Sequence, residues 1–263
     1  LRALAKHGIL DRGDGPTHAT PPGYAAAGRT DAGVSAVAQT IAFEAPEWLT
    51  PRAFNGRLPG SVRVWAAVDV RGGFHAPHDA IRRTYRYHLY APPGDDPDTD
   101  GIVTGGHAVD DDRIREALDQ LSGKHDFHNL TSDETGTVRD LTATVTRSGD
   151  LLVIEVTAGG FPRALVRRLI AAARAVGRGT AELASIDRLL DPEPVPGERG
   201  DGPAPAEPLV LWDVAYEGVM FAVDTEAADS ARMAFDEQHR ELRHAAAATG
   251  AIRDRITEMR ASR

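Results

Sequence analysis

Two alternating runs around a short turn constrain the fold of this 263-residue chain more than any other feature. In the stretch TVRDLTATVTRSGDLLVIEVTAG, apolar and polar residues alternate on both sides of SGD. Because successive side chains of a strand point to opposite faces, this pattern predicts an antiparallel hairpin. The following stretch, PRALVRRLIAAARAVGRG, has apolar residues at helical spacing and predicts an amphipathic helix that ends at Gly177. A hairpin followed by an amphipathic helix indicates a sheet with helices on one face.

The same two periodicities predict the remaining strands and helices. An aspartate cap and Gly123 are expected to bound one helix, and Thr50 and Pro51 are typical first residues of another. We therefore predict an α+β fold with mainly antiparallel sheets and flanking helices. The strands are expected in SVRVWAAVDV, RRTYRYHLY and LVLWDVAYEGVMF, and the helices in DDDRIREALDQLSG, LTPRAFNGRLPG, residues 1–10 and the tail after Asp224.

The charge composition indicates adaptation to a salty solvent and says little about what the protein binds. The net charge is −9, which by itself argues against a polyanionic partner. Among the 30 basic residues, however, Lys6 and Lys124 are the only lysines, and the acids form runs such as GDDPDTD. This composition is typical of proteins adapted to concentrated salt, where charges are strongly screened. We therefore expect a halophilic source, and the positions of the arginines indicate the partner better than their number.

Two absences limit the class of protein. Cysteine is absent, which excludes disulfides and thiolate metal sites, and no run of about 18 apolar residues is present. Both are typical of a cytoplasmic protein. The opening LRALAKHGIL has the pattern of a helix already under way, so we expect the natural protein to begin earlier.

The stretch GRTDAGVSAVAQ places ionisable residues on a tight turn. Gly28 and Gly33 permit backbone angles that other residues avoid, and the small residues over 32–38 are interpreted as the start of a packed helix. Thr30 or Asp31 could simply cap that helix by accepting from its free N–H groups. A carboxylate held on such a turn is also a candidate catalytic group.

Arginines cluster beside the tyrosines of RRTYRYHLY and along the predicted helix near residues 163–178. On that helix, Arg167 lies among apolar residues, and an unpaired buried charge costs several kcal/mol. We therefore predict a carboxylate partner for Arg167, namely Asp31. Arginine pairs with phosphate and tyrosine stacks on unstacked bases, so the combination favours RNA as the partner.

Two histidine–aspartate clusters favour a different chemistry. They have short His–His spacings, and these residue types ligate divalent metals in hydrolases. Nothing else in the sequence completes a metal signature. A phosphate-binding Gly-rich loop, a nucleophile elbow and a dinucleotide fingerprint are also absent, so a cofactor enzyme is not expected. The clusters are HAPHD, with His75, His78 and Asp79, and HDFH, with His125, Asp126 and His128.

Six blocks of the sequence resemble, in the same order, motifs of the TruA family of tRNA pseudouridine synthases. They lie between about residues 28 and 217, and six ordered blocks are far more specific than one short motif. The blocks are GRTDAGVSAVAQTIAFE, FNGRLPGSVRVWAAVDVRGGFHA, RRTYRYHLY, LSGKHDFHNL, GFPRALVRRLIAAARAVGRG and APAEPLVLWDVAYE.

The resemblance implies an isomerase that converts uridine to pseudouridine at positions 38–40 in the anticodon stem–loop of tRNA, without a metal or other cofactor. Asp31 would be the essential carboxylate, which either attacks C1′ of the ribose or removes a ribose proton. Tyr85 would stack on the flipped base. Arg167 would pair with Asp31 and keep it ionised, and Arg29 would help to open the RNA stack.

The same resemblance implies two subdomains related by a pseudo-twofold axis, with a basic cleft between them, in a homodimer. Arg83 and Arg86 would contact phosphates of the RNA. We expect a catalytic subdomain over 1–80 that lacks the family's first strand, a second subdomain over 81–222 and a helical tail over 223–263. The alternatives are a metal-dependent hydrolase that uses the His-Asp clusters and a tRNA-binding protein without catalysis.

Overall fold

The computed structural model describes residues 21–93, 109–193 and 202–261. The helix predicted over residues 1–10 lies outside these ranges. The described part confirms the predicted α+β class. Its strands are β1 (Ala25–Ala26), β2 (Ser35–Ala36), β3 (Ile41–Ala42), β4 (Ala66–Ala67), β5 (Ala80–Tyr90), β6 (Gly123–Asp126), β7 (Val138–Ser148), β8 (Leu151–Ala158), β9 (Leu209–Tyr216) and β10 (Ala222–Val223). Its α-helices are α1 (Pro51–Asn55), α2 (Asp111–Leu121), α3 (Leu165–Gly177), α4 (Ala184–Leu189) and α5 (Thr225–Ala261), and a 3-10 turn spans His128–Leu130.

Six strands form one sheet in the order β2–β9–β5–β8–β7–β6. The predicted hairpin is β7–β8, in which Val145 lies opposite Ile154. Gly149 supplies its turn with a φ of +60°, a conformation that favours glycine. β5 is antiparallel to both of its neighbours, β8 and β9, so Tyr85 and Tyr87 lie at the centre of the sheet. β2 pairs with β9 in parallel.

Two helices cover the apolar face of this sheet. α2 packs against α3 and against β7, and both helices bury the apolar stripe that their sequences predict. Gly177 ends α3 at this contact, where an added Cβ would lie 2.5 Å from Ile114 Cγ1, so the close approach requires glycine. The buried stripe residues include Ile114, Leu118 and Leu121 on α2 and Leu165, Leu169, Ile170 and Val176 on α3.

Contacts group the chain into two compact units. One unit comprises residues 25–42 and 75–217 and contains the six-stranded sheet with α2, α3 and α4. The other contains the described residues of 21–24, 43–74 and 218–261, with α1, the β4–β10 pair and α5. The turn that carries Asp31 therefore belongs to the same unit as the six-stranded sheet. The subdomain boundaries predicted from the sequence, and the cleft between subdomains, stay predictions.

The second unit begins its helices as the sequence predicts. Thr50 Oγ1 accepts a hydrogen bond from the Ala53 N–H at 3.2 Å, which caps α1. In α5, Ala227 and Ala231 are buried near the beginning of the helix. Of the described helices, none combines the length and the apolar composition that crossing a membrane requires.

Two local predictions are wrong. The segment over 32–38 is a turn followed by the short strand β2, because Gly33 adopts a φ of +91° and the chain beyond it joins the edge of the sheet. The Val37 N–H continues that edge by donating to the Leu211 carbonyl at 2.9 Å. The strand predicted in SVRVWAAVDV is limited to β4, where the paired partner is the two-residue strand β10.

Candidate active site

A pocket of about 550 Å³ opens in the sheet unit beside the end of β2. One wall is the turn of residues 28–34, here called the Asp31 turn. The opposite wall is the loop over 161–164 with the first residues of α3, and Tyr85 of β5 and Leu209 of β9 complete the lining. The pocket therefore collects side chains from segments that are far apart in the sequence.

The central contact of the pocket is an ion pair between Asp31 and Arg167. Arg167 Nη1 donates to Asp31 Oδ2 at 2.7 Å. The guanidinium is 17% exposed, whereas the carboxylate is 36% exposed and so remains accessible from the pocket. The sequence predicted this pair, because an arginine within an apolar helix stripe requires a carboxylate partner.

A second hydrogen bond fixes the orientation of Arg167. Its Nε donates to the Ala204 carbonyl at 2.7 Å, and the Ala204 N–H donates to the Arg167 carbonyl at 3.0 Å. The Ala-Pro-Ala segment, residues 204–206, thus holds the guanidinium at a different edge from the one that bonds the carboxylate. Because the guanidinium is planar and forked, two anchored edges leave it little freedom to rotate.

Backbone contacts shape the Asp31 turn. The Val34 N–H donates to the Asp31 carbonyl at 3.1 Å, and the Gln39 side-chain amide donates to the Gly28 carbonyl at 2.7 Å. At Gly33, an added Cβ would lie 3.1 Å from both the Ala206 Cβ and the Glu207 Oε1. This position therefore favours glycine for two reasons: its φ is positive, and a Cβ would have little space. The glycine that the sequence analysis singled out therefore brings the turn close to the Ala-Pro-Ala segment.

Tyr85 enters the pocket from the centre of the sheet. A β-bulge interrupts the β5–β9 pairing between Thr84 and Tyr85, and such bulges re-aim side chains near functional sites. The ring is 8% exposed and packs edge-on against Phe161, with ring centres 5.3 Å apart. Burial raises the pKa of the Tyr85 hydroxyl above its usual value of 10.0; the Arg83 guanidinium opposes the rise and the Asp31 carboxylate adds to it. The hydroxyl is consequently neutral at ordinary pH.

The loop before α3 contains a strained residue. Ala164 has φ +56° and ψ +8°, the left-handed conformation that a side chain with a Cβ disfavours, and it lines the pocket. Its neighbour Arg163 is held on both sides: its carbonyl accepts from Thr131 Oγ1 at 3.0 Å and its N–H donates to Asp133 Oδ2 at 2.8 Å. Strained residues of this kind cluster at functional sites. Phe161, Ala164 and Leu209, which also line the pocket, were not predicted from the sequence.

The other predicted arginines have different surroundings. Arg29 is exposed and lines the pocket, and its contact with RNA stays a prediction. Arg83 is 8% exposed, and its guanidinium donates to the carbonyls of Ala27, Pro77 and Gly159. These bonds occupy the guanidinium within the fold, so the predicted phosphate contact of Arg83 is not supported.

Arg86 lies on the strand next to Tyr85 but has partners of its own. Its Nε donates to Glu155 Oε2 at 2.7 Å, and its guanidinium carbon lies 4.0 Å from the centre of the Trp212 ring. A guanidinium that is already paired and stacked has less capacity for a phosphate. The structure thus separates Arg29, Asp31, Tyr85 and Arg167, which share the pocket, from Arg83 and Arg86.

The His-Asp clusters form turns instead of a metal centre. Asp79 Oδ2 accepts from the His75 N–H at 2.8 Å, and Asp126 Oδ1 accepts from the His128 N–H at 3.2 Å. The His125 ring bonds the Ser122 carbonyl at 2.9 Å. Within residues 21–93, 109–193 and 202–261, no group of three or more histidines, cysteines or carboxylates is placed to hold a metal ion. The metal-hydrolase alternative therefore has no site in the described chain.

Comparison with known proteins agrees with the resemblance noted in the sequence. A family model described as tRNA pseudouridine synthase matches residues 117–217. Proteins named tRNA pseudouridine synthase A are similar over most of the chain. The one from Haloarcula marismortui is 52% identical over 97% of this chain and 88% of its own length. The one from Natronomonas pharaonis is 54% identical over 88% and 82%, and the one from Methanocella arvoryzae is 34% identical over 77% and 71%. The chain belongs to the tRNA pseudouridine synthase A family.

Proposed function

We propose that this chain converts uridine to pseudouridine in tRNA, at positions 38–40 of the anticodon stem–loop, with Asp31 as the catalytic carboxylate. The observation that carries the proposal is the Asp31–Arg167 ion pair beside the Tyr85 ring in one pocket. Family membership supports the reaction and the class of substrate. The positions in the stem–loop rest on the resemblance of the sequence motifs to the TruA family.

Asp31 begins the reaction at the ribose of the target uridine. Its carboxylate either attacks C1′, which breaks the bond between C1′ and N1 of uracil, or removes a ribose proton so that the same bond breaks by elimination. The detached uracil turns and rejoins C1′ through C5. In the first route C5 displaces the Asp31 carboxylate from C1′, and in the second the ribose regains the proton that Asp31 removed. C5 then loses its proton and N1 gains one, which gives pseudouridine and a free Asp31 carboxylate. Reactant and product are isomers, so the step needs no oxidant, reductant or co-substrate.

Arg167 positions the carboxylate for either route. Because its guanidinium is held by the Ala204 carbonyl, its bond to Asp31 keeps one carboxylate oxygen in place and leaves the group facing the pocket. A reacting atom displaced by about 1 Å can cost about 100-fold in rate, so this fixed orientation matters for catalysis.

Tyr85 and Arg29 act on the nucleobases. A uridine in a stem–loop must leave its stack to reach the pocket, at a cost of a few kcal/mol. Stacking on the Tyr85 ring offsets part of that cost. The hydroxyl is available to relay the proton lost from C5, accepting it at oxygen while it passes its own proton to water. Arg29 occupies the gap that the flipped base leaves in the stack, and its exposed side chain supports this role.

The cellular setting follows from the same family. We infer a cytoplasmic homodimer in a halophilic archaeon. Support comes from the cysteine-free, lysine-poor and carboxylate-rich composition and from relatives in Haloarcula and Natronomonas.

The test is pseudouridine formation by an Asp31→Asn variant. Wild-type protein should release tritium from tRNA labelled at C5 of uridine, and pseudouridine should be mapped at positions 38–40. Asp31→Asn should form none while still binding tRNA, and Asp140→Asn, which changes an exposed aspartate of β7, should match the wild type. Turnover by Asp31→Asn would refute the assignment.

A chelator separates the proposal from the metal hydrolase. Activity should be unchanged in EDTA, because no step uses a metal. Loss of activity in EDTA, with rescue by zinc or manganese, would instead favour the His-Asp alternative. Wild-type protein that binds tRNA but never forms pseudouridine would favour the binding protein.

A further inference from the structure

Three arginines lie along one flank of α3, and only the first of them pairs with Asp31. The side chains of Arg167, Arg174 and Arg178 follow one another at steps of seven and four residues, and Arg178 continues the helical conformation at the end of α3. Because an α-helix has about 3.6 residues per turn, these steps bring all three to the same flank, next to the buried apolar stripe. At about 1.5 Å per residue, Arg174 lies about 10 Å and Arg178 about 16 Å beyond Arg167 along the helix axis. The row therefore starts at the pocket and leads away from it.

The second and third arginines of the row have no carboxylate partner among the residues that the structure describes. Both Arg174 and Arg178 are half-buried, and the Nε atom of each is buried without a hydrogen-bond partner. The Nε of Arg167, by contrast, bonds the Ala204 carbonyl. A buried N–H that bonds nothing costs free energy, because it has lost its bond to water. The two guanidinium groups therefore keep donors that the described part of the fold does not use.

The Tyr87 hydroxyl lies between this row and the sheet. Burial raises its pKa, and the guanidinium groups of Arg174, which also bonds the hydroxyl, and of Arg167 oppose the rise. Burial and then the neighbouring Arg174 lower the pKa of Arg178, so the folded protein disfavours its charge. The exposed Glu207 carboxylate acts on the Tyr87 hydroxyl, but within the described residues it forms no ion pair with either arginine. Two positive charges are thus held close together without compensation.

An anion bound at this place would compensate both charges. A guanidinium binds phosphate through two parallel hydrogen bonds, which suits arginine to the phosphates of nucleic acids. Because the row starts at the residue that holds Asp31, an RNA strand with its uridine in the pocket can continue along the row. In concentrated salt, exposed charges are strongly screened, whereas partly buried pairs are screened much less. Half-buried arginines therefore suit phosphate binding by a protein of this composition.

We propose that Arg174 and Arg178 form a subsite for a backbone phosphate of tRNA, beside the pocket that receives the target uridine. The proposal rests on the proposed function, because it takes tRNA as the ligand. Arg83 and Arg86 already have partners within the fold, whereas these two arginines keep buried donors without a partner in the described chain. The two arginines hold the substrate and do not touch the reacting atoms, so they are binding residues.

The first test is RNA binding by Arg178→Met, which removes one charge and leaves the bond between Arg174 and Tyr87 in place. The affinity for an anticodon stem–loop RNA should fall about tenfold, because a bond to a charged group is lost. In a plot of the logarithm of the association constant against the logarithm of the salt concentration, the slope should become shallower by about 0.7–0.9, the value for one phosphate contact. Arg178→Lys keeps the charge without the fork and should lose less affinity. Arg188→Met, at an exposed position of α4, is the control and should change neither quantity.

Urea unfolding of the protein without RNA separates a binding role from a structural one. If the charge of Arg178 serves a ligand, Arg178→Met should unfold at a higher urea concentration than the wild type, because desolvation of the charge and repulsion from Arg174 are relieved. An arginine that supports the fold would instead lower the midpoint when it is replaced. The same measurement shows that the variant is folded.

The RNA side of the contact can be tested with stem–loops that each carry one neutral methylphosphonate linkage. Wild-type affinity should fall about tenfold at one linkage, and Arg178→Met should lose nothing further at that linkage, because the two changes remove the same contact. An excess of inorganic phosphate should leave RNA binding by the wild type unchanged. Competition by inorganic phosphate that disappears in Arg178→Met would indicate a site for the free ion and overturn the proposal.

Three further results would overturn it: an unchanged affinity and salt slope in Arg178→Met, a lower urea midpoint, or additive losses at every linkage. These experiments measure binding and stability, whereas the proposed function is tested by pseudouridine formation. Wild-type protein that binds the stem–loop through Arg178 but forms no pseudouridine would refute only the catalytic assignment. Wild-type protein that forms pseudouridine and binds equally well without Arg178 would refute only the phosphate subsite.

Discussion

Arg167 bonds both Asp31 Oδ2 and the Ala204 carbonyl, each at 2.7 Å, so one guanidinium joins the Asp31 turn to the Ala-Pro-Ala segment. The arginine belongs to α3, whose apolar stripe is part of the core. The orientation of the carboxylate is thereby tied to the packing of a helix and not only to its own turn.

Replacing Arg167 should reduce turnover strongly. Arg167→Met removes both bonds and should lower kcat by about 100-fold or more, because the carboxylate loses its fixed orientation. Arg167→Lys keeps the charge, but its compact ammonium lacks the rigid planar fork that holds both partners, so its activity should be intermediate. Tritium release under saturating tRNA measures the effect. Arg188→Met, at an exposed position of α4, is the control, and an unimpaired Arg167→Met protein would mean that the pair has no catalytic role.

Two substitutions separate the ring of Tyr85 from its hydroxyl. Tyr85→Phe keeps the aromatic face and should leave tRNA affinity unchanged while slowing tritium release from C5 by about 100-fold, the lower end of general acid–base contributions. Tyr85→Ala should also weaken binding, because stacking contributes about 1–3 kcal/mol per base. Equal affinity of the Phe and Ala variants would contradict the stacking role.

Alkaline pH should destabilise the fold through Tyr87. Burial raises its pKa above 10.0, although the nearby guanidinium groups of Arg174 and Arg167 oppose the rise. The folded state therefore favours the neutral phenol. Its contribution to the free energy of unfolding is complete below pH 10.0 and is lost as the pH rises through the pKa of the folded state.

Urea unfolding at several pH values above 9 measures this loss. Tyr87→Phe should flatten the alkaline decline, because it removes a group that titrates, and Tyr90→Phe, on an exposed ring, is the control. Parallel declines in the wild type and in Tyr87→Phe would show that the alkaline loss comes from other groups.

Gly177→Ala should destabilise the contact between α3 and α2. The added methyl would lie 2.5 Å from Ile114 Cγ1, and overpacking of a core costs about 1–3 kcal/mol. Gly72→Ala is a suitable control, since no atom lies within 4 Å of the position of its Cβ. Denaturant unfolding of the two variants should differ in midpoint, and equal midpoints would mean that the helices separate at little cost.

The sequence predicts the long elements well because their periodicity is unambiguous. The β7–β8 hairpin, α2, α3 and α5 all appear where alternation or helical spacing places them. The helix predicted over 32–38 was wrong because alanine, valine and serine suit several conformations. Pairing with β9 makes part of this segment a strand. A two-residue edge strand has no signal of its own.

The candidate site divides in a similar way. The Asp31–Arg167 pair was predictable, because a charge in an apolar stripe requires compensation. The surroundings of Arg83 could not be predicted, because the backbone carbonyls that accept from its guanidinium have no signal in the sequence. Phe161 and Leu209 could not be told from ordinary core residues, since only the fold brings them to the pocket.

The left-handed backbone conformation of Ala164 makes this residue a useful position for substitution. Glycine adopts that geometry without steric strain but gives the unfolded chain more conformational freedom, so Ala164→Gly exchanges about 1 kcal/mol of local strain for a more mobile pocket loop. If this variant gains stability and loses turnover, the fixed backbone of Ala164 serves the shape of the pocket at the expense of the stability of the fold.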